Sequence, residues 1–586
     1  MLSNKPHIRN LVEICAAKGI EQVIISPGSR NAPLVISFNE HGKFNCLSIP
    51  DERVAGFFAM GIAQQTRKPV IITCTSGTAS LNFAPAIAEA FYQKIPLLIL
   101  TADRPVEWIH QGEGQSIAQR NVFANYVKRS YELPQEVKDK DGLWSANRII
   151  NEAINQSTSE SAGPVHINIP FQEPLYDTAN YKEKESPKII TPTVLKKQLS
   201  PSAIDQLGKI WQQSDKKMIL CGLLPLEVNS HHQSKLVQSL VQINTDPTVS
   251  ILPEVTSNLV HPNFISNFDS VLSTVSEEET AHFQPDLLIT LGGSFISKRI
   301  KLWLRKHRPK NHWHIEAINY HIDTFQALTN AIKMQPAEFF EQFLPHVSDT
   351  LSQPKNHYKK PPKLKVKYQE NWQARKKKVQ QLQEKYLDQL AWSDLKAYEL
   401  IFPTLPPNTN LHLGNSTPVR YAELFEKRVD IIYNSNRGVA GIDGSTSTAA
   451  GAAYVSKHPT TIITGDISFF YDSNAFWHHH LSPKLSVILI NNAGGNIFRF
   501  IKGPDTTKQL ATYFEAHHER SAEYIAKTFN LNYFVAANES DLKKALKAFY
   551  KLQKNNRPAI LEVKTPRIAS AQIWRDYYQQ INQHHG

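Results

Sequence analysis

The stretches Thr460-Thr-Ile-Ile-Thr-Gly-Asp466 and Leu485-Ser-Val-Ile-Leu-Ile-Asn-Asn-Ala-Gly494 decide the fold class. Each is a short apolar, β-branched run that ends in small polar residues. Runs of this kind, without alternation, are strands buried on both faces of a parallel sheet. Parallel neighbours bring their C-terminal tips to one sheet edge, where ligands bind in open α/β sheets. The tips carry the Asp466 carboxylate, the Asn492 amide oxygen and the Gly494 carbonyl. That hard, oxygen-only set suits Mg²⁺ that also holds diphosphate oxygens. Gly465 lets a phosphate approach the backbone closely. Taken singly, Gly-Asp and Asn-Asn are ordinary turn residues. The pair, each after a buried strand, points to a metal–diphosphate site.

Similar runs recur along the chain. Gln22–Ser26, Val70–Cys74, Pro96–Leu100 and Val165–Ile169 read as strands of a first segment. Val54, Phe57, Phe58, Gly61 and Ile62 form an apolar helical face after Asp51. Lys217–Gly222, Asp286–Gly293 and Trp313–Ile318 read as strands of a middle segment. Asn410–Gly414, Asp430–Asn434 and Ala559–Val563 join the two opening strands in a last one. Alternation with helical stretches predicts an α/β protein of three doubly wound parallel-sheet domains. The boundaries are residues 1–180, 193–350 and 380–586, with a basic linker at 351–379.

A chain of 586 residues exceeds what one core serves, so several domains are expected. With 41% hydrophobic and 20% charged residues, it reads as a soluble globular protein. No apolar run reaches the roughly 18 residues that span a membrane, and Met1–Ile20 has no signal-peptide pattern. Cys15, Cys46, Cys74 and Cys221 lack CxxC spacing, which predicts reduced thiols and a cytoplasmic location. The net charge of +12 is partly local, since Lys355, Lys359, Lys360, Lys363, Lys365, Lys367, Arg375, Lys376, Lys377 and Lys378 cluster. One reading is a nucleic-acid or membrane contact. The other is a solvated linker leading into a surface helix, favoured because no stacking platform or groove-reading motif accompanies the lysines. No nucleic-acid or membrane partner is therefore expected.

Several strand ends carry polar groups. Ser26-Pro-Gly-Ser-Arg30 precedes a helical pattern from Ala32; it is either an anion site at a helix start with Arg30 as clamp, or a capping turn with an exposed Arg. Glu52 either favours the helix dipole in the first turn or is a buried general acid/base. Arg104 in Thr101-Ala-Asp-Arg-Pro105, and Gln115 after Gly112-Glu-Gly114, lie in further strand-end loops, as does Thr75-Ser-Gly-Thr78. Ser297-Lys298-Arg299, Ser416 with Arg420, and Arg437 place cations near the later strand ends. Together they would suit a substrate with several carboxylates; singly, each is as readily a surface ion pair.

Seven motifs lie in order along nearly the whole chain: Ser26-Pro-Gly-Ser-Arg30; Asp51-Glu-Arg53; Thr101-Ala-Asp-Arg-Pro105; Gly414-Asn-Ser416 with Arg420; Ser435-Asn-Arg-Gly438 with Gly441-Ile-Asp-Gly444; Gly465-Asp-Ile-Ser468; and Asn491-Asn-Ala-Gly-Gly495 with Ile497-Phe498. The set resembles the thiamine-diphosphate-dependent decarboxylases and carboligases, and more closely their branch in menaquinone biosynthesis. The resemblance implies a pyrimidine-binding domain, a central domain and a diphosphate-binding domain. It implies a catalytic Glu52 on the cofactor's aminopyrimidine, and Mg²⁺ or Mn²⁺ held by Asp466, Asn492 and the Gly494 carbonyl. Ile442 would hold the cofactor bent, with Ser416, Gly465 and Ser468 also at the cofactor. The branch joins 2-oxoglutarate to isochorismate. Ser29, Arg30, Arg104, Gln115, Lys298, Ser416, Arg420, Arg437, Ile497 and Phe498 would hold those substrates, with Arg299 as the alternative to Lys298 beside it. It implies a homo-oligomer, dimer or tetramer, with active sites at a dimer interface. Two departures stand out: the metal motif reads Gly465-Asp466-Ile467 rather than the Gly-Asp-Gly common in the wider class, and Gly114 replaces the Asn that usually precedes the active-site Gln. The rival within the class is another 2-oxoacid decarboxylase or an acetolactate-type synthase.

Overall fold

The computed structural model describes residues 1–180, 186–193, 195–226, 235–352, 367–501, 503–551 and 557–583. The first sheet has six parallel strands in the spatial order Asn45–Ser48, Gln22–Ile25, Val70–Cys74, Leu97–Asp103, Val165–Pro170 and Ser130–Glu132. The third has six parallel strands, Ile432–Asn434, Asn410–Leu413, Thr460–Gly465, Leu485–Asn491, Ala559–Lys564 and Asn532–Ala536. Numbered along the chain within each sheet, both run 2-1-3-4-6-5. The central sheet has five parallel strands, Val249–Pro253, Lys217–Cys221, Leu287–Leu291, Asn311–Ile315 and Asn330–Ile332. The three doubly wound sheets expected from the sequence are present. The strands that sequence reading passed over include the short edge strands Asn45–Ser48, Ser130–Glu132 and Asn330–Ile332, where polar residues blur the apolar signal.

The core strands are buried along their full length, as in Val70–Cys74, Leu97–Asp103 and Leu485–Asn491. Asp51 caps the helix Glu52–Thr66, its side chain accepting from the Val54 amide at 3.2 Å. That helix packs on the helix Ser445–Val455 of the third domain. Ser445–Val455 is built from small residues, and all but its last two are buried. A Cβ at Gly61 would lie 2.0 Å from the Thr448 carbonyl oxygen, and one at Gly451 would lie 1.9 Å from that of Phe58. The two helices therefore cross at backbone contact, which only glycine permits.

The basic stretch divides in two. Residues 353–366, with Lys355, Lys359, Lys360, Lys363 and Lys365, lie outside the described residues. From Tyr368 the chain is a helix to Asp388, and it is a packed element rather than a solvated one. Trp372 is fully buried and meets Phe283 edge to face at 5.1 Å. Arg375 pairs with Glu279, and the buried Lys376 donates to the Phe264 carbonyl at 3.1 Å. Further along, Gln383 donates to the Leu424 carbonyl at 2.8 Å and Tyr386 to that of Ile573 at 3.1 Å. The helix thus ties the central domain to the third.

Gly451→Ala should destabilise the fold by about 1–3 kcal/mol or more, because neither backbone can retreat without moving a helix. Urea unfolding followed by circular dichroism measures it.

Candidate active site

The third sheet brings Asp466 and Asn492 to one edge, since Thr460–Gly465 and Leu485–Asn491 are paired in parallel register, Gly465 beside Ile490. Asp466 is 2% exposed and Asn492 5% exposed. One Asp466 carboxylate oxygen accepts from the Ile467 amide at 2.7 Å and the other from the Gly494 amide at 2.9 Å. The second oxygen also lies 3.5 Å from His518 Nε2. Asn492 donates its amide to the Asp394 carboxylate at 2.9 Å, which turns its Oδ1 the other way. That oxygen is buried and has no hydrogen-bond partner among the described residues. Gly494 sits at φ +152°, and a Cβ there would meet the Glu515 carbonyl oxygen at 2.8 Å. Nothing lies within 4 Å of where a Cβ of Gly465 would stand, so the backbone there faces open space. An orphaned buried acceptor, a buried carboxylate and a cradle of glycine backbone fit a hard divalent cation and an anion beside it. Among the described residues no group of three His, Cys, Asp or Glu side chains assembles a metal site, in keeping with a set completed by amide and backbone oxygens.

Asp394 escaped sequence reading. It is fully buried, and burial pushes its carboxyl up to about 6, against hydrogen bonds from Thr565, Asn492 and Ser570. Only the Ser393-Asp394 helix start marked it, and a cap gives no hint of a partner 98 residues away.

The loop Ser435–Gly444 is held from several sides. Asn415 donates to the carbonyls of Asn436 and Gly441 at 2.6 and 2.7 Å, and its oxygen accepts from Arg437 at 3.2 Å. Ser468 donates to the Ile442 carbonyl at 2.8 Å. Glu89 of the first domain, 2% exposed, accepts from the Gly438 and Val439 amides at 2.6 and 2.7 Å. Ser416 adopts φ +76°, a strained conformation for a residue with a side chain.

Lys298, Arg299, Arg420 and Ile497 meet at a cavity of about 190 Å³ between the central and third domains. Phe500, Trp574 and Tyr578 form its apolar wall. Arg299 lies over the Tyr578 ring at 4.6 Å and near Asp269, so Lys298 is the more exposed of the two neighbouring cations. Arg420 donates to the Ile296 carbonyl at 3.3 Å. Phe498 turns instead to Phe514, at 5.7 Å.

The N-terminal candidates gather at the edge of the first sheet. Gly28 packs on Thr75, where a Cβ would meet that residue's own Cβ at 2.3 Å. Arg30 is 6% exposed, donates to the Phe171 carbonyl at 3.1 Å and pairs with Glu173. Arg104 donates to the Gly114 carbonyl at 2.9 Å and pairs with Glu113. Gln115, at φ +55°, is exposed like Ser29, and its backbone lies against Gly77. Gln119 fixes this loop: its oxygen accepts from the Gly77 amide at 2.7 Å and its nitrogen donates to the Ala102 carbonyl at 3.0 Å. Glu52 stands half-buried at its helix start, and burial raises its carboxyl above the usual range. Arg53 beside it donates to the carbonyls of Asp443 and Tyr471 at 2.9 and 3.0 Å. The polar contacts of Arg30 and Arg104 stay within the first domain.

Two six-stranded sheets of one topology, with a metal-and-anion cradle at the edge of the second, define a thiamine-diphosphate-dependent enzyme. Residues 8–123 match the thiamine pyrophosphate enzyme N-terminal TPP-binding domain, and residues 214–413 match the middle domain of thiamine pyrophosphate enzymes. The chain is 43% identical to the 2-succinyl-5-enolpyruvyl-6-hydroxy-3-cyclohexene-1-carboxylate synthase of Flavobacterium johnsoniae, over 98% of both chains. It is 42% identical to that of Flavobacterium psychrophilum, over 98% of this chain and 99% of the relative. It is 39% identical to that of Porphyromonas gingivalis, over 99% and 98%. The chain belongs to the 2-succinyl-5-enolpyruvyl-6-hydroxy-3-cyclohexene-1-carboxylate synthase family.

Asp394→Ala leaves the Asn492 amide without its acceptor. It should weaken Mg²⁺ binding about 10- to 100-fold, read by Mg²⁺ titration of thiamine diphosphate binding.

Proposed function

We propose that this chain decarboxylates 2-oxoglutarate and joins the remaining succinyl unit to isochorismate in a conjugate addition. The products are 2-succinyl-5-enolpyruvyl-6-hydroxy-3-cyclohexene-1-carboxylate and CO₂, in menaquinone biosynthesis. Thiamine diphosphate supplies, when bound, the nucleophilic carbon and the electron sink. The observation that carries the reading is the cavity where Lys298 and Arg420 stand over an apolar wall of Phe500, Trp574 and Tyr578. Both substrates are dicarboxylates, and cations on one rim neutralise and steer them.

Asp466, Asn492 and the Gly494 carbonyl would hold Mg²⁺ or Mn²⁺. Gly465 would give the diphosphate room. Ile442, fixed through its carbonyl by Ser468, would set the bend of the cofactor. Glu52 would hold a proton at the aminopyrimidine, and burial, which raises its carboxyl pKa, favours the protonated form that this role needs. Arg420, Arg437, Lys298 and Ser416 would bind substrate from the later domains; Ser29, Arg30, Arg104 and Gln115 would bind it from the first. Ile497 and Phe500, which line the cavity, would keep water from the reacting carbon.

Arg30 and Arg104 make their polar contacts within the first domain, which supports a site completed by a second copy. In that arrangement Glu52 of one protomer faces Asp466 of its partner. The four free cysteines support a reducing compartment, the cytoplasm.

Isochorismate and 2-oxoglutarate should give product only with thiamine diphosphate and a divalent cation. Rapid turnover of pyruvate with none of 2-oxoglutarate would replace this reading with that of a decarboxylase. Glu52→Gln should lower kcat about 10²- to 10⁴-fold while the cofactor still binds. Mixing Glu52→Gln with Asp466→Ala protein, after subunit exchange, should restore about a quarter of wild-type activity if sites form between protomers. No recovery would place the whole site in one chain.

A further inference from the structure

Glu254 follows the central strand Val249–Pro253 and no motif marks it. It is 0% exposed. Its two carboxylate oxygens accept from consecutive backbone amides, Ile296 at 2.7 Å and Ser297 at 2.8 Å. Those residues immediately precede Lys298. The Ile296 carbonyl, on the same peptide run, accepts from Arg420. One buried carboxyl group therefore grips the backbone that leads into Lys298, and that backbone in turn holds Arg420. Burial and the neighbouring Glu423 push the Glu254 carboxyl up to about 8, against the two amide hydrogen bonds and the nearby Arg437. A second carboxylate completes the brace across the domain boundary: Glu423, on the cavity wall, accepts from the Val255 amide at 2.6 Å and pairs with Lys427. Lys427 reaches back to the Pro253 carbonyl. A buried carboxylate satisfied by two backbone amides is costly to disturb, since each donor would be left unpaired.

We infer that Glu254 is a positioning residue for the dicarboxylate pocket: it sets the Ile296–Lys298 backbone, and through it the placement of Lys298 and Arg420 against substrate. The inference rests on the carboligase reading above. The cradle of Asp466, Asn492 and Gly494 lies on other strands of another sheet, so Glu254 acts on substrate affinity and leaves cofactor binding alone.

The test is steady-state kinetics of Glu254→Gln with isochorismate and 2-oxoglutarate, beside cofactor titration and thermal unfolding. Gln has one acceptor oxygen for two amides, so one of them loses its partner. KM for at least one substrate should rise about tenfold or more, with kcat nearly unchanged and thiamine diphosphate and Mg²⁺ half-saturation as in wild type. Adding Glu254→Gln to Arg420→Ala should raise KM by less than Glu254→Gln does alone, because part of its effect runs through Arg420; a merely structural defect would add in full. If Glu254→Gln unfolds too readily to assay, Glu254→Asp keeps the carboxyl group but shortens the reach, and the same KM rise is expected. An unchanged KM in either folded variant, or a loss of cofactor binding equal to the loss of substrate affinity, overturns the inference. A wild-type protein that turns over neither substrate removes the carboligase reading itself, and the inference with it.

Discussion

Where the helix Glu52–Thr66 meets Ser445–Val455, Gly61 and Gly451 leave no side chain between the two backbones. That approach holds the first and third sheets in a set relation. It also brings Arg53, next to Glu52, within reach of the Asp443 and Tyr471 carbonyls. Those carbonyls flank the Ile442 loop and end the Asp466 helix. Protein interiors transmit small shifts because they are close-packed. A larger residue at either glycine would therefore move the acid, the loop and the metal tip together.

Around that contact the molecule repeats one device. Buried carboxylates are spent on the backbone of loops that carry functional side chains. Glu89 takes the Gly438 and Val439 amides beside Arg437, and Glu254 takes those of Ile296 and Ser297 beside Lys298, while Asp394 takes the side-chain amide of Asn492 itself. A loop has few bonds of its own and is mobile unless anchored. Removing such an acceptor from a dry site leaves its donors unpaired, which costs more than the bond itself contributes. In the first two cases the carboxylate and the loop belong to different elements, so substrate-side groups are placed by contacts distant in sequence. The family's reaction needs such placement, since two dicarboxylates must meet at one carbon.

The buried strands were legible because their apolar runs are unbroken, and their polar tips were legible because ligand edges in parallel sheets carry small and oxygen-bearing residues. Asp466 and Asn492 could be paired from the two runs that precede them. The packed character of Tyr368–Asp388 was hidden, because a helix carrying Arg375, Lys376, Lys377 and Lys378 has a composition like that of a solvated one; Trp372 and Val379 find their partners only in the fold. Phe498 was grouped with Ile497 by adjacency, yet successive residues on a helical turn point apart, and it is Phe500 that reaches the cavity.

By itself the sequence determined the three parallel sheets, the residue types at their edges and the kinship of the chain. These follow from local patterns of burial and from residue types at strand ends, which physical chemistry restricts within a few neighbours. Only the tertiary structure decided which acid serves which loop. Glu254, Glu89 and Asp394 are ordinary residues in ordinary contexts until folding removes water from around them. A carboxylate takes its role from the donors that meet it in a dry interior, and those donors come from segments that chain order keeps far apart.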